Sequence, residues 1–363
     1  MSRFAAGMGR GADWRTALTE ALAQDAIAQG ANLGFVYFSD LFSADAPELL
    51  EALKNDTGIA SWVGCSTIGP IGKGKTSMGS PCLSLLTAAL PEQSFRVFSG
   101  RERLPSASDG YTPYFAVVHA DPMTPDMPDL VADMAGKVSS GFLTGGLASS
   151  RRRNLHIAND VLFGGISGVA FTSDVGVATR LTQGCAALPG RHVITSCEEN
   201  VIQRIDQRAA LDVYLETVGE DERHDLRAAA QRVLVGLPVA GREAGDYRVR
   251  SVIGVDPNQG LLAINEAVEA GQSLLFVRRD TESAYADMQN MLSELKASLP
   301  SPPQGAIYVS CNGRGSNMFD ADHQEVDMIR DAFGEIPLTG FFANGEISHD
   351  QLYGFTGVLT LFL

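Results

Sequence analysis

Residues 34–69 read GFVYFSDLFSADAPELLEALKNDTGIASWVGCSTIG, and this stretch decides the fold. Its first seven residues form a short apolar run ending in small polar residues, which predicts a buried strand entering a loop. The segment at 46–56 carries leucines at helical spacing, and 61–69 predicts a second strand that runs into a glycine-rich turn. Two strands joined through a helix are expected to lie parallel, with a right-handed crossover.

The same order of elements occurs three times in the chain. The second copy consists of 114–121, 127–138 and 141–150, and the third of 306–315, 323–334 and 336–346. Each copy is followed by one more apolar run, at 82–90, 165–173 and 357–363. A strand reached by a short turn most naturally runs antiparallel. The sequence therefore predicts an α/β fold with mixed β-sheets, built from repeated β-α-β-β units with helices packed on them.

The chain between the second and third copies has a different character. Turn-rich strands are followed by a helix at 208–219, a charged helical stretch at 220–236, a second strand-rich block and a strand–helix pair. A length of 363 residues favours two domains. We place them at 1–220 and 221–363.

Composition bounds the classes of function. The net charge of −15 would repel phosphate backbones and anionic lipid heads, so neither nucleic acid nor a membrane surface is an expected partner. No apolar stretch approaches the roughly 20 residues of a membrane span, and the N-terminus lacks the apolar core of a signal peptide. Five scattered cysteines, an odd number without C-x-x-C spacing, argue against a disulfide framework or a zinc site. These features predict a soluble, cytoplasmic protein.

Five segments carry a resemblance to a known family. They are VGCSTIG (63–69), GFLTGGLASS (141–150), LTQGCAALPGRHVITSCEENVIQRIDQRAALDVY (181–214), SCNGRGSNMF (310–319) and PLTGFFANGEIS (337–348). Together they resemble the FIST proteins, named from F-box and intracellular signal transduction proteins. The resemblance implies an N-terminal and a C-terminal FIST domain, and a sensory role in binding small ligands such as amino acids. Since no kinase, cyclase or F-box sequence is attached, output is expected through a separate partner, such as a histidine kinase or a cyclase.

The glycine-rich turns after the strands are the first candidates for ligand contact, because ligands of α/β sheets bind beyond the carboxyl ends of parallel strands. The candidates in the first two copies are Gly64, Cys65, Ser66, Thr67, Gly145 and Gly146. The alternative explanation is tight strand packing that needs glycine for backbone geometry alone. The neighbouring run Arg151–Arg153 is expected to be a solvated loop or an anion contact.

The third copy supplies Cys311, Asn312, Arg314, Asn344 and Glu346. An arginine fork at Arg314 could bind a ligand carboxylate while Glu346 meets an ammonium group, an arrangement suited to an amino acid. The alternative is that these two side chains pair with each other as a structural bridge. We expect the ligand in a pocket lined by the turns of both domains, which would close around it.

Two further hypotheses stay open. Some family members resemble haem-binding nitric-oxide sensors, and His119 or His156 could supply the imidazole that a haem needs, although no cofactor is predicted outright. Alternatively, Cys65 or Cys311, each at a strand end, could act as a nucleophile if a base lay nearby. No spacing of carboxylates or histidines marks a metal site. A binding protein is favoured over an enzyme.

Overall fold

The computed structural model describes residues 3–73, 75–76, 78–219, 224–239 and 246–363. The chain forms two compact units, one of Met1–Thr182 with Asp287–Leu363 and one of Gln183–Ala286. All three sequence copies therefore belong to the first unit, and the second unit is the stretch inserted between the second and third copies. The predicted domain boundary at residue 220 lies outside the described residues.

The described residues form 27 strands, numbered here in chain order. They are β1 (Phe4–Arg10), β2 (Leu33–Ser39), β3 (Ser61–Thr67), β4 (Pro70–Gly72), β5 (Lys75–Thr76), β6 (Cys82–Ala88), β7 (Phe95–Phe98), β8 (Phe115–Ala120), β9 (Phe142–Leu147), β10 (His156–Ala158), β11 (Val161–Leu162), β12 (Ile166–Phe171), β13 (Val177–Gln183), β14 (Cys185–Ala187), β15 (His192–Glu198), β16 (Val201–Ile205), β17 (Arg208–Ala209), β18 (Val233–Pro238), β19 (Tyr247–Arg250), β20 (Val252–Asp256), β21 (Leu261–Ile264), β22 (Ser273–Arg279), β23 (Gly305–Cys311), β24 (Leu338–Ala343), β25 (Glu346–Ser348), β26 (Gln351–Tyr353) and β27 (Thr356–Phe362).

The α-helices are α1 (Trp14–Leu22), α2 (Ala46–Thr57), α3 (Met127–Gly136), α4 (Ala210–Thr217), α5 (Leu226–Arg232), α6 (Thr281–Ser298) and α7 (Gln324–Phe333). Local sequence sets their ends, as α2 illustrates. Pro47 stands in its first turn, where a missing N–H costs nothing, and Gly58 ends it in the left-handed conformation at φ 72°. Among the described residues, we find no helix with both the length and the apolar character needed to cross a bilayer.

The predicted repeat is confirmed. The first repeat is β2–α2–β3–β6, the second β8–α3–β9–β12 and the third β23–α7–β24–β27. In each repeat the two strands flanking the helix pair in parallel, and the last strand pairs antiparallel to the first. The three six-stranded sheets have the orders β1-β6-β2-β3-β10-β11, β7-β12-β8-β9-β25-β26 and β13-β27-β23-β24-β4-β5.

Each repeat contributes one hairpin that pairs with the sheet of another repeat. The hairpin β4–β5 follows β3 and pairs with β24 of the third repeat, while β10–β11 follows β9 and pairs with β3 of the first. The hairpin β25–β26 follows β24 and pairs with β9 of the second repeat. This exchange closes a ring of three, so backbone hydrogen bonds join all three sheets of the first unit.

One apolar core lies between the three sheets. It contains aromatic side chains from every repeat, including Phe35, Tyr37, Phe115 and Phe341, each at most 2% exposed. Fully burying a side chain of this size stabilises the fold by roughly 1.5–3 kcal/mol. The outer faces of the sheets pack against helices, so the central strands β2, β8 and β23 are buried on both faces and read as continuous apolar runs.

The second unit is a nine-stranded sheet whose central order is β19-β18-β22-β15-β16-β21-β20, with α4 and α5 beside it. The helix expected at 208–219 is present as α4. Of the helical stretch expected at 220–236, residues 220–223 lie outside the described residues. The remainder was wrong in part, because α5 covers only Leu226–Arg232 and the chain continues as strand β18. The β-branched residues Val233 and Val235 are completely buried there, and β18 is bonded on both sides, to β19 and β22.

Candidate functional site

The strand ends of the three repeats meet at one point, which we call the junction and define by Thr67, Ser149 and Phe342. The Thr67 hydroxyl donates to the Phe342 carbonyl oxygen at 2.8 Å, and the Ser149 hydroxyl donates to the same oxygen at 2.5 Å. The two hydroxyls lie 3.1 Å apart, and the amide of Ile68 donates to Ser149 Oγ at 3.1 Å. The structure therefore brings together turns that lie up to 275 residues apart in the chain.

The candidate glycines next to the junction are explained by backbone geometry. Gly64 and Gly145 have φ angles of 152° and 140°, and a Cβ atom on either would lie within 2 Å of the carbonyl oxygen of Val36 or Val118 on the neighbouring strand. Gly146 is the register partner of Glu346. The strand-packing alternative therefore accounts for the first two glycines, and ligand contact at all three stays a prediction.

Arg314 does not pair with Glu346 but with Glu325 of α7. Arg314 Nε donates to Glu325 Oε1 at 2.7 Å, and the two side chains are 0% and 2% exposed. Glu325 also accepts hydrogen bonds from the hydroxyls of Tyr308 and Ser310 at 2.6 and 2.9 Å. Burial alone would lower the pKa of Arg314, but the Glu325 charge beside it raises that pKa above its ordinary value. The guanidinium is a buried charge held by protein groups.

Glu346 is also buried and has its own partner. Its Oε2 accepts hydrogen bonds from the backbone amide and the hydroxyl of Thr356, at 3.1 and 2.7 Å. Burial raises the pKa of this carboxyl from 4.5 to about 7, against the opposing hydrogen bonds from Thr356. Asn312 and Asn344 tie the same turns together, since Asn312 N donates to the Ala343 oxygen and Asn344 N to the Leu147 oxygen. Ligand contact at these residues stays a prediction.

The two histidines do not fit a haem site. Both ring nitrogens of His156 are engaged, Nδ1 with the Ser167 hydroxyl at 2.6 Å and Nε2 with the Gly164 carbonyl at 3.0 Å. His119 Nε2 lies 3.0 Å from the Tyr37 hydroxyl, and its ring is packed 5.9 Å from the ring of Phe341. Burial lowers the pKa of His119 to about 3, so the imidazole is neutral. Both side chains are buried, His119 with 0% and His156 with 1% exposure, so a haem could reach either only by displacing the groups packed around it.

The two candidate thiols lie in surroundings that oppose a thiolate. Cys65 is fully buried in the central core, and burial raises its pKa well above the ordinary range. Burial has the same effect on the pKa of Cys311, and the nearby Glu346 carboxylate adds to it. Since the thiolate is the nucleophile, this environment favours buried structural cysteines over reactive ones.

An open cleft of about 700 Å³ lies beside the first and second repeats. We call it the cleft and define it by its lining residues: Ser43, Ala44, Pro47, Leu50, Glu51, Lys54, Arg101, Arg152, Arg153, Leu155, Asn159, Asp160, Val161 and Phe163. Its volume is within the range of small-molecule sites in proteins.

The cleft forms where chain segments leave the carboxyl ends of two strands. Residues 43–54 follow β2 and include most of α2, whereas 152–155 follow β9 and lead into the exchanged hairpin β10–β11. Ser66, a predicted site residue, holds this second segment in place. Its amide donates to the Leu155 carbonyl at 3.0 Å, and the Leu155 amide donates to Ser66 Oγ at 3.0 Å. The cleft therefore begins beside these strand ends, near where ligands of α/β sheets usually bind. It extends along α2 and the hairpin β10–β11 to Asn159, whose amide donates to the Trp62 carbonyl oxygen near the start of β3.

The three consecutive arginines have different roles. Arg151 is held by the buried Asp40, which accepts hydrogen bonds from its backbone amide, Nε and Nη2 at 2.9, 3.0 and 2.7 Å. Burial would raise the pKa of Asp40, but these hydrogen bonds and the arginine charge keep it below the ordinary value. Arg152 and Arg153 line the cleft, and the Arg153 guanidinium lies 3.6 Å from the centre of the Phe163 ring. The expectation of a merely solvated loop therefore does not describe Arg151.

Sequence reasoning missed both Glu325 and the cleft. A signal for Glu325 existed, because residues 325, 328 and 329 share one face of α7 and a carboxylate on an apolar helix face needs a buried cation. The cleft had no comparable signal, since its two walls are separated by about a hundred residues and are brought together by long-range contacts such as the β10–β3 pairing and the Lys54–Asn159 hydrogen bond.

Comparison with known proteins agrees with the resemblance of the sequence. Models of the FIST N domain and the FIST C domain match residues 32–208 and 210–349. An uncharacterised protein of Mycobacterium tuberculosis is 28% identical over 383 aligned residues, covering 99% of this chain and 100% of the relative. One of Mycobacterium bovis is 32% identical over 236 residues, covering 61% of this chain and 60% of the relative.

Among solved structures, a cyanuric acid hydrolase from A. caulinodans aligns over 99% of both chains at 12% identity, with a TM-score of 0.29 that carries no argument about this chain. FIST domains are sensory domains of signal transduction. The chain, with its FIST N domain followed by a FIST C domain, belongs to the FIST family.

Proposed function

We propose that this protein is a cytoplasmic sensor that binds a small organic ligand in the cleft and reports its presence through a separate partner protein. The observation that carries the proposal is the cleft itself, a hollow of about 700 Å³ that runs from the carboxyl ends of β2 and β9 along α2 and the hairpin β10–β11. It is open to solvent, so a ligand can enter without unfolding the core. The five cysteines are free, which agrees with a reducing compartment.

A sensor needs its ligand to favour one of two conformations, typically by about 1–3 kcal/mol. The segment 149–155 supplies a physical connection for such a change. Ser149 at its start belongs to the junction and donates to the Phe342 carbonyl oxygen. Arg152 and Arg153 line the cleft, and Leu155 at its end is held by Ser66. Ligand capture that displaces this segment would therefore strain the hydrogen bonds that link it to the third repeat.

In this proposal the buried network around Arg314 and Glu346 is a rigid support and does not touch the ligand directly. Arg314 is paired with Glu325, and Glu346 Oε2 is bonded to Thr356, so a ligand could reach these atoms only by displacing those partners. Glu346 Oε1 has no hydrogen-bond partner among the described residues, but it is buried. The proposal assigns no catalytic step to the protein. Amino acids, the ligands suggested by the family resemblance, form one class to be tested at the cleft.

The test is a thermal-shift screen of small metabolites against the wild-type protein and the variant Ala44→Trp. Ala44 is an exposed residue of the cleft lining, so an indole there should fill the entrance without disturbing the core. Ala44→Ser is the matched control. We expect a ligand that raises the Tm of the wild type and of the serine variant but leaves the tryptophan variant unchanged. A screen without such a ligand, or ligands equally effective on Ala44→Trp, would contradict the proposal.

A further inference from the structure

We infer that the cleft selects an organic oxyanion, a carboxylate or phosphate group on an apolar body, and that Arg152 and Arg153 bind the charged group. This inference rests on the proposed function and specifies the class of ligand. It depends on the distribution of charge in the cleft, on what each cation already contacts, and on the apolar residues beneath them.

The charge of the cleft is opposite to that of the chain. The sequence holds 28 basic and 43 acidic residues, whereas the cleft is lined by four cationic side chains and two acidic ones. Like charges gathered on one surface repel each other unless an anion lies between them. A basic hollow on an acidic protein therefore attracts an anion locally, within about 8–10 Å at physiological ionic strength.

The four cationic side chains of the cleft differ in whether protein groups already occupy their N–H donors. Arg101 forms an ion pair with Asp160, and Lys54 Nζ donates to the Asn159 carbonyl at 2.7 Å. Within the described part of the chain, the Arg152 guanidinium has neither an ion pair nor a hydrogen bond. The Arg153 guanidinium is stacked on Phe163 through its face, which leaves its N–H groups at the edge. Both arginines thus keep their hydrogen-bonding fork, the group that matches a carboxylate or a phosphate.

An inorganic anion alone would leave much of the cleft unused. Leu50, Leu155, Val161 and Phe163 give the cleft an apolar floor and wall, and Phe163 is 49% exposed although it is a large aromatic residue. A side chain of this kind at the mouth of a hollow is suited to pack against an apolar ligand group. The ligand that satisfies both features is amphipathic, with a charged end at the arginines and an apolar body over the leucines.

The Asp40–Arg151 ion pair fixes the position of the chain just before Arg152 and Arg153. Asp40 is 1% exposed and fixes both the backbone and the side chain of Arg151. The next two residues are consequently presented from an anchored position, which lowers the entropy cost of binding. Ser43 adds a hydroxyl to the lining whose oxygen has no hydrogen-bond partner among the described residues.

The test uses four probes with the same phenyl body. They are 3-phenylpropanoate, its neutral amide 3-phenylpropanamide, 2-phenylethyl phosphate and L-phenylalanine, with inorganic phosphate as a probe of charge alone. Affinity is measured by isothermal titration at physiological ionic strength. We expect the carboxylate or the phosphate ester to bind at least tenfold more tightly than the amide, which corresponds to 1.4 kcal/mol. Phenylalanine reveals whether an added ammonium group helps or hinders.

Variants then locate the binding. Arg152→Gln and Arg153→Gln should each lower the affinity for the anion about tenfold. Arg180 is an exposed arginine outside the cleft lining, so Arg180→Gln should leave the affinity unchanged. All three changes are at the surface, so they should fold. Circular dichroism and Tm check this.

The outcomes separate the inference from the proposed function. An amide that binds as well as the anions and is blocked by Ala44→Trp would overturn the oxyanion inference but leave a ligand-binding cleft. If Arg180→Gln lowers the affinity for the anions as much as Arg152→Gln and Arg153→Gln do, the inference is overturned as well, since the affinity would then depend only on net charge. If neither the anions nor the amide bind at millimolar concentration, the oxyanion inference is overturned, and the wider screen decides the proposed function separately.

Discussion

Replacing Glu325 by glutamine should destabilise the first unit strongly. The carboxylate is 2% exposed and receives hydrogen bonds from Arg314, Tyr308 and Ser310. The amide retains much of the shape but removes the negative charge, so the guanidinium of Arg314 stays buried without compensation. Breaking a buried ion pair in this way typically costs about 3–5 kcal/mol, whereas an exposed pair contributes about 0–1 kcal/mol.

The matched control is Asp133→Asn, which breaks the exposed pair of Asp133 with Lys137 on α3. Unfolding in urea is followed by tryptophan fluorescence, because Trp14 and Trp62 are the only tryptophans of the chain and both lie in the first unit. We expect Glu325→Gln to lower the free energy of unfolding by at least 3 kcal/mol and the control by less than about 1 kcal/mol. Equal effects of the two substitutions would refute the assignment of Arg314 and Glu325 as a structural pair.

Three further predictions concern Glu346, Gly64 and Cys197. Because the folded protein holds the Glu346 proton more tightly than the unfolded chain, the stability of the wild type falls as the pH rises from 4.5 to about 7. Above pH 7 the free energy of unfolding of Glu346→Gln should exceed that of the wild type by up to about 3 kcal/mol, with no advantage below pH 4.5. Urea unfolding at each pH measures the difference. Gly64→Ala should cost several kcal/mol because its Cβ would meet a backbone oxygen, whereas Gly136→Ala, which meets open space, should be neutral or slightly stabilising in thermal unfolding. The half-buried Cys197 should react with Ellman's reagent in the native protein well before Cys311, and equal rates would speak against the described burial.

The repeat was predictable because its signal is local. Strands buried on both faces give uninterrupted apolar runs, and α2 shows its leucines at helical spacing whatever the rest of the chain does. The strand β1 escaped prediction because its alanines and glycines, which leave room for α1 to pack closely on it, give no apolar run. In β18 the valines outweighed the helical pattern that precedes them.

The site was predictable only to the level of a neighbourhood. The sequence indicated that the turns of the different repeats would lie together, and in the structure Thr67 and Ser149 meet the third repeat at Phe342. Ligand contact at these turns stays a prediction. The sequence could not indicate that their polar groups satisfy one another, because the hydrogen bonds of Thr67 with Ser149 and Phe342 join residues separated by 82 and 275 positions. The cleft depends on the hairpin exchange between the second and first repeats, which no local periodicity encodes.

The most direct measurement is amide hydrogen exchange of the protein with and without a ligand that Ala44→Trp excludes. The account predicts slower exchange at 43–54 and 152–163, where the ligand binds, and a change at 342–346, because Ser149 links the cleft segment to the Phe342 oxygen. Protection confined to the second unit, or no change near the cleft, would contradict the claim that this hollow is where the protein senses its ligand.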